Sequence, residues 1–520
     1  MTADWTGAID RARKNAPFLA QAMDRLPALT ELLEAGHGNA ALEYAHAAGL
    51  GQDDVGVALR RERLALALAL AIGDLAGAFP LITVMGELSR FADRALDAAI
   101  VDAIARRTPD ADPAGFIALA LGKHGAGELN YSSDIDPILL FDPDTLPRRA
   151  RDEPGEAAQR IALTVVETLS RATSEGYVFR VDLRLRPASE VSPLAISVDA
   201  ALTHYESLAL TWERAAFIRA RACAGDITGG KDFLTAIRPF IWRKSLDFGA
   251  ITEVGRLTAQ IRSSHKGTGK VGPGFDLKRG RGGIREIEFY AQTHQLIHGG
   301  RNPALRLKGT RDTLDALAKH NLIPLETAEL LGNSYDTLRT IEHRLQMILD
   351  QQTHSLPTSP EALDAVARLH GLEDGATLIE EVTHVTEQVG ARYDVLIDAS
   401  AAPAPAQKPR ETDAALPAEI ETKGFEDPDA VSKRIAAWQS GKFRALRSST
   451  ALSAFEAIRP ELLSALAAAP EPERALLRWE QLLANLPSAI NLFHLLEARP
   501  ALLELLARIL SVAPPLADEL

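Results

Sequence analysis

Asp134 and Asp136 stand two residues apart at the end of the stretch Gly122-Lys123-His124-Gly125-Ala126-Gly127-Glu128-Leu129-Asn130-Tyr131-Ser132-Ser133-Asp134-Ile135-Asp136. On a strand, residues i and i+2 point to the same face, so both carboxylates can reach one or two hard cations, and Mg²⁺ or Mn²⁺ is the implied metal. Two such ions about 3.5 to 4 Å apart can activate an attacking oxygen and neutralise a leaving one during in-line phosphoryl displacement. That chemistry asks for a third carboxylate from a neighbouring strand, and Asp182 offers one. Residues 178–186 alternate strictly, with Arg180, Asp182, Arg184 and Arg186 on one face and Phe179, Val181, Leu183 and Leu185 on the other, which predicts a strand with one polar face. Arginine forks match phosphate oxygens bidentately, so Arg184 and Arg186 are candidate phosphate binders, with plain salt bridging as the alternative. Glycines such as Gly125 let backbone N–H groups approach a triphosphate, and Ser132 or Ser133 could hydrogen-bond it. A lone Asp-x-Asp is usually a solvated turn or cap. The glycine turn, the serines, the flanking apolar runs and Asp182 among arginines reverse that reading here.

A second candidate is Lys278-Arg279-Gly280-Arg281-Gly282-Gly283-Ile284-Arg285-Glu286-Ile287-Glu288, a basic, glycine-rich loop opening a helix. Helix N-termini bind anions, so Lys278 and Arg285 could hold a phosphate of a nucleotide or inorganic phosphate, against the alternative of a solvated linker. Trp212, Glu213, Arg214, Arg219 and Arg221 fall on one predicted helix and read mainly as structural. His294 and His298 have the i, i+4 spacing of a zinc pair, but no Glu follows His294, so core or surface histidines are the better reading.

Around these residues the sequence predicts an α+β fold that is mostly helix, with a small mixed sheet embedded in helices and helical bundles on either side. Residues 1–110 are Ala/Leu-rich with apolar residues at helical spacing, as in Leu88, Phe91, Leu96 and Ile100. Pro109 and Pro113 break the pattern. Residues 116–121 form a continuous apolar run, the mark of a strand buried on both faces, and a second run spans 138–141. Residues 160–175 suit a helix, and from 193 to about 400 the signals are again helical, including 200–222, 249–262 and 284–298. The expected division is a helical region 1–110, a nucleotidyltransferase-type core 111–275, a helical bundle 276–400, an Ala/Pro-rich linker 401–420 and a helical domain 421–520.

Composition excludes several classes. With 520 residues, more than one core is expected. The net charge of −13 argues against a general grip on nucleic acid. Cys223 is the single cysteine, so there is no internal disulfide or Cys-based metal cage, and a small core residue is its expected role. The most apolar run, 64–73, is far short of the roughly 20 residues needed to span a bilayer and reads as a buried helix. No secretory signal is visible at the N-terminus, which places the expectation in the cytoplasm.

The 122–136 stretch, then Phe179-Arg180-Val181-Asp182-Leu183-Arg184-Leu185-Arg186-Pro187, Thr211-Trp212-Glu213-Arg214 and Gly282-Gly283-Ile284-Arg285-Glu286-Ile287-Glu288-Phe289, in this order, resemble the glutamine synthetase adenylyltransferase/adenylyl-removing family. The resemblance covers residues 115–520 well and the N-terminal helices loosely. It implies two nucleotidyltransferase units flanking a central helical region, of which this chain has one. The Ser-Ser-Asp-Ile-Asp form and its place before a linker resemble the N-terminal, removing unit, and Leu520 falls where the central region would still be running, as in a fragment of a longer chain. On this resemblance Asp134, Asp136 and Asp182 hold the metal, Arg184 and Arg186 bind phosphate, and inorganic phosphate attacks an adenylyl-tyrosine to give ADP. Glutamine synthetase is the implied protein substrate and a PII signal protein the implied regulator. ATP-dependent adenylylation and a docking module are the alternatives. Departures from the family pattern are His124, Ala126, Gly127 and Pro137.

Overall fold

Six consecutive apolar residues, Phe116–Leu121, form strand β1, and all six are buried. The computed structural model explains why the run is continuous rather than alternating. Phe116, Ala118 and Ala120 pack into one core with the N-terminal helices, while Ile117, Leu119 and Leu121 pack into another with the elements of residues 196–241. Covered on both faces, the strand has no solvated side to make polar.

Strand β2, Asp134–Phe141, lies antiparallel to β1 with Leu121 opposite Asp136 and Phe116 opposite Phe141. Its other edge is shared by two short parallel strands, β3 (Arg180–Val181) at the aspartate end and β4 (Ala195–Ser197) at the far end. Strand β5, Arg221–Gly225, closes the free edge of β1, with a register shift at Ala118/Leu119. The result is the small mixed sheet within helices that the sequence predicts, but with two differences. Strand pairing stops at Val181, and a strand rises from the end of the 200–222 segment that reads as helix.

The structure describes residues 3–109, 111–207, 211–243, 270–400, 425, 427–439, 443–446, 449–486, 492–493, 495–496 and 500–512. The expected helix at 249–262 and the expected linker at 401–420 lie outside them. The chain divides into two compact units, Met1–Ala402 and Pro403–Leu520. The second has its own core around Trp438, Phe455, Trp479 and Phe493, supplied by amphipathic helices including Ser449–Ala467 and Pro472–Asn485. The apolar run at 64–73 is buried within the helix Val55–Leu75, and no helix of the described residues is long and apolar enough to cross a membrane.

One helix fixes the approach to β2. Leu325–Leu349 carries Tyr335, Arg339, Glu342, His343 and Gln346 along one stripe at three- and four-residue spacing, and all five are buried. Arg339 donates to the Glu128 carbonyl at 2.6 Å and also to Asn130 Oδ1 and the Tyr335 hydroxyl. Tyr335 in turn donates to Glu128 Oε2 at 2.9 Å. Ser132 donates its N–H to Gln346 Oε1 at 3.0 Å and its hydroxyl to the Asp350 carbonyl at 3.0 Å. Loop 128–133 is thereby held from below just before it becomes β2. Removing one partner of a buried charged network costs about 3 to 5 kcal/mol, because the remaining groups stay desolvated. Arg339→Met should lower the urea midpoint of the first unit by an amount worth about 3 kcal/mol, measured by tryptophan fluorescence and circular dichroism, whereas the solvent-exposed Arg90→Met should move it by less than about 0.5 kcal/mol.

Candidate active site

Asp134 and Asp136 project from the face of β2 that also carries Ile138 and Leu140, and the same register sets Asp136 beside the end of β1. Parallel pairing of Asp134 with Arg180 continues as a hydrogen bond from the Asp182 N–H to the Ile135 carbonyl at 2.9 Å, which delivers Asp182 to the same edge. All three carboxylates line a pocket of about 610 Å³. Lys123, Arg219, Lys278, Arg279 and Arg285 also line it.

The carboxylates differ in what neutralises them. Asp134 accepts from Arg180 Nε at 3.0 Å. Asp182 accepts from Arg184 Nε at 2.9 Å and from the Arg184 N–H at 2.9 Å, and these bonds hold its carboxyl below the usual range against the opposing effect of burial. Burial and then the charge of Asp182, with a smaller push from Asp134, raise Asp136 to about 7, while Lys278 and Lys123 pull the other way. Gly122 explains how closely the backbone comes. A Cβ there would meet Asp136 Oδ2 at 2.5 Å, and its φ of +56° already favours glycine.

Three oxygen donors converging on one edge, one of them left with a costly charge, suit a hard divalent cation such as Mg²⁺ or Mn²⁺. Asp134, Asp136 and Asp182 could hold it. A second group, Asp93, His124 and Cys223, also comes together. There Arg221 donates to both Asp93 oxygens at 2.7 and 2.8 Å, and burial pushes the Cys223 thiol far up, so the group is an ion-pair bracket around a core cysteine. His294 and His298 stack on one helix face with ring centroids 5.9 Å apart and no carboxylate or thiol grouped with them among the described residues.

Several expected site residues stand elsewhere than the sequence predicts. Past Asp182 the chain turns, so Arg184 and Arg186 are not on a strand face. Arg184 lines the pocket but is engaged with Asp182, its side chain 84% exposed. Arg186 donates to the carbonyls of Leu183, Ser189, Ser192 and Pro193, which folds the 183–193 loop and takes its guanidinium away from phosphate binding. Gly125 packs against the Ala120 and Arg219 carbonyls, and the glycine facing a carboxylate is Gly122. Ser132 is buried under the long helix, and Ser133 is the serine that lines the pocket. In the basic loop, the N–H groups of Ile284, Arg285 and Glu286 are taken by the carbonyls of Leu277, Lys278 and Gly283, and the Gly282 N–H by Glu286 Oε2. The helix end therefore offers no free N–H cradle among these groups, and it is the side chains of Lys278 and Arg285 that reach the pocket.

Sequence reasoning missed Lys123 as a pocket residue. Its Nζ donates to both Glu342 oxygens at 3.0 and 3.1 Å, and Glu342 also meets His354 at 2.6 Å. Burial, which favours the neutral acid, is outweighed by Lys123, His354 and Arg339, leaving Glu342 ionised far below the usual range. The available signal was a lone cation between two glycines directly after a buried strand. Arg219, read as structural, is tied to Glu288 at 3.0 Å yet borders the same pocket.

The model of the glutamate-ammonia ligase adenylyltransferase family matches residues 8–236. The bifunctional glutamine synthetase adenylyltransferase/adenylyl-removing enzyme of Bradyrhizobium diazoefficiens is 40% identical over 480 residues, which is 89% of this chain and 48% of that protein. The chain belongs to this adenylyltransferase family. Residues 255–397 further match the model of the GlnD PII-uridylyltransferase family. Proteins with the same bifunctional name from Rhizobium meliloti and Caulobacter vibrioides are each 40% identical, over 91% and 88% of this chain and 49% and 48% of their own length. The chain thus spans about half the length of the curated relatives it matches.

The raised Asp136 carboxyl makes stability depend on pH in a direction opposite to most aspartates. Between about pH 4 and 7 the folded protein keeps a proton that the unfolded chain has lost, so metal-free stability falls as pH rises through that window. Asp136→Asn should therefore raise the melting temperature of metal-free protein at pH 8, with little effect at pH 4, and should abolish the melting shift produced by Mn²⁺. An unchanged Mn²⁺ shift in the variant would remove Asp136 from the ligand set.

Proposed function

We propose that this chain removes AMP from adenylylated glutamine synthetase by phosphorolysis of an adenylyl-tyrosine, giving ADP and the free tyrosine. The observation that carries the reading is a single pocket with three converging carboxylates and six further cationic side chains, three of which, Lys278, Arg279 and Arg285, come from the basic loop and the helix it opens. Such a pocket can take a metal and more than one phosphate at once. The removing direction rests on the Ser-Ser-Asp-Ile-Asp form of the motif, since the geometry serves both directions. The relatives carry both activities in their names.

Asp134, Asp136 and Asp182 would hold Mg²⁺ or Mn²⁺. When bound, the metal supplies positive charge to the phosphoryl oxygens and to the departing phenolate. Lys278, Arg279 and Arg285 orient inorganic phosphate for attack. An oxygen of that phosphate forms a bond to the AMP phosphorus as the bond from phosphorus to the tyrosine oxygen breaks. The electron pair leaves with the phenolate, which takes a proton from water. With a phenol pKa near 10, no strong general acid is required. Lys123 donates to Glu342 and opposes the repulsion that raises Asp136, while burial brings its own amine down to about 7. A PII signal protein as regulator follows from the family resemblance.

Incubating the protein with adenylylated glutamine synthetase, phosphate and Mg²⁺ should release ADP, with the rate falling at least about 10³-fold in Asp136→Asn. Lys278→Ala should raise the KM for phosphate roughly tenfold with a smaller change in kcat. Release of free AMP without phosphate would overturn the reading. Transfer of labelled AMP from ATP to unmodified glutamine synthetase would establish the adenylylating direction instead, and binding of glutamine synthetase without any nucleotide chemistry would make the chain a docking module.

A further inference from the structure

Of the five tryptophans, four belong to cores: Trp438 and Trp479 lie fully buried in the second unit, and Trp5 and Trp242 pack against clusters of the first. Among the described residues Trp212 belongs to none of the core clusters, is 38% exposed and lines the pocket. Packing among those residues gives no reason for the largest side chain at this position. Its neighbours are fixed instead. Glu213 is buried and accepts from His204 Nε2 at 2.8 Å, and Arg214 is buried over the Phe240 ring, so the short helix Thr211–Phe217 is anchored by one face while it offers Trp212 on another.

Ala215 and Ala216 follow Trp212 at i+3 and i+4 and line the same pocket, which leaves room in front of the indole. Leu185 and Phe289 add further apolar surface. On the helix Ile284–His298 the lining residues run Arg285, Glu288, Phe289, Gln292. Four residues along a helix is about 6 Å, so the pocket changes from cationic at Arg285 to apolar at Phe289 within the reach of one ribose.

We propose that Trp212, with Phe289 and Leu185 beside it, is the subsite for the purine base of the nucleotide. The inference rests on the proposed function and adds to it the position of the base. An indole face stacks on a flat heterocycle, and an aromatic ring that lines the pocket and lies outside the cores of the described residues is available for that contact. The charged end of the same ligand lies toward Lys278 and Arg285, so the pocket reads a nucleotide from both ends.

Calorimetric titration in the presence of Mn²⁺ separates the two ends, with ADP as one probe and inorganic tripolyphosphate, which has no base, as the other. Trp212→Leu, similar in apolar character but without an aromatic face, should weaken ADP at least about fivefold and leave tripolyphosphate within about twofold, and Trp212→Phe should recover most of the ADP affinity. Unchanged ADP affinity in Trp212→Leu, or a parallel loss for tripolyphosphate, overturns the subsite. A rise only in the KM for adenylylated glutamine synthetase overturns it in favour of a contact with the protein substrate. Wild-type protein that binds no ADP with Mn²⁺ removes the proposed function together with the subsite, whereas ADP binding insensitive to position 212 removes the subsite alone.

Discussion

The guanidinium of Arg339 is the point on which the site depends. It reaches from inside the first unit to the Glu128 carbonyl and the Asn130 side chain, six and four residues before Asp134. Leu129 and Tyr131 anchor this loop in the core, but the polar residues between them still need partners, and the two aspartates inherit whatever placement the loop has. A buried hydrogen-bonded stripe gives it one placement, because the loop groups bonded to the helix have no water to turn to instead. The cost is that a charge is buried. Glu342 compensates it at 3.3 Å, and Glu342 is itself balanced by Lys123 at the pocket wall. The packing of the helix and the charge of the site are therefore one network, and neither can be altered alone.

The same principle governs the pocket lining. Glu288 sits among Arg219, Lys123, Lys278 and Arg339, and although burial favours its neutral form these cations hold it down at about 2. It remains an anion among the cations. At Asp136 the cations are outweighed: burial and the charges of Asp182 and Asp134 prevail over Lys278 and Lys123, and its carboxyl moves toward protonation. Asp134 and Asp182 each have an arginine partner, so the uncompensated charge at the three-carboxylate edge is that of Asp136, which a divalent cation would relieve.

What could be read from the sequence follows the range of the interactions involved. Strand β1 and the end of β2 were legible because burial on both faces writes a continuous apolar run, and the helix Ile284–His298 has the bounds its pattern predicts. Asp134 and Asp136 were legible because their relation is two residues long. Strand β3 was over-read: alternation persists to Arg186, but Arg186 turns back onto four carbonyls of its own loop and the pairing ends at Val181. Strand β5 was under-read, since Arg221-Ala222-Cys223-Ala224-Gly225 has no β-branched or aromatic residue and becomes a strand only by completing the edge of β1. The role of Lys123 was hidden for the opposite reason. Its partner lies 219 residues away, and no local pattern announces a contact of that span.

The basic loop at 276–283 has its backbone donors closed within itself, from the Asp276 carboxylate holding the N–H groups of Lys278 and Arg279 to the Leu277 carbonyl receiving Ile284. An N–H cradle would enforce the angles of one anion. Lysine and arginine side chains on a closed loop supply charge with rotational freedom, so the wall selects for negative charge more than for the shape that carries it. In the proposed reaction, anion selectivity at this wall would then come from the carboxylate side opposite, where an oxygen that can share a cation would be favoured.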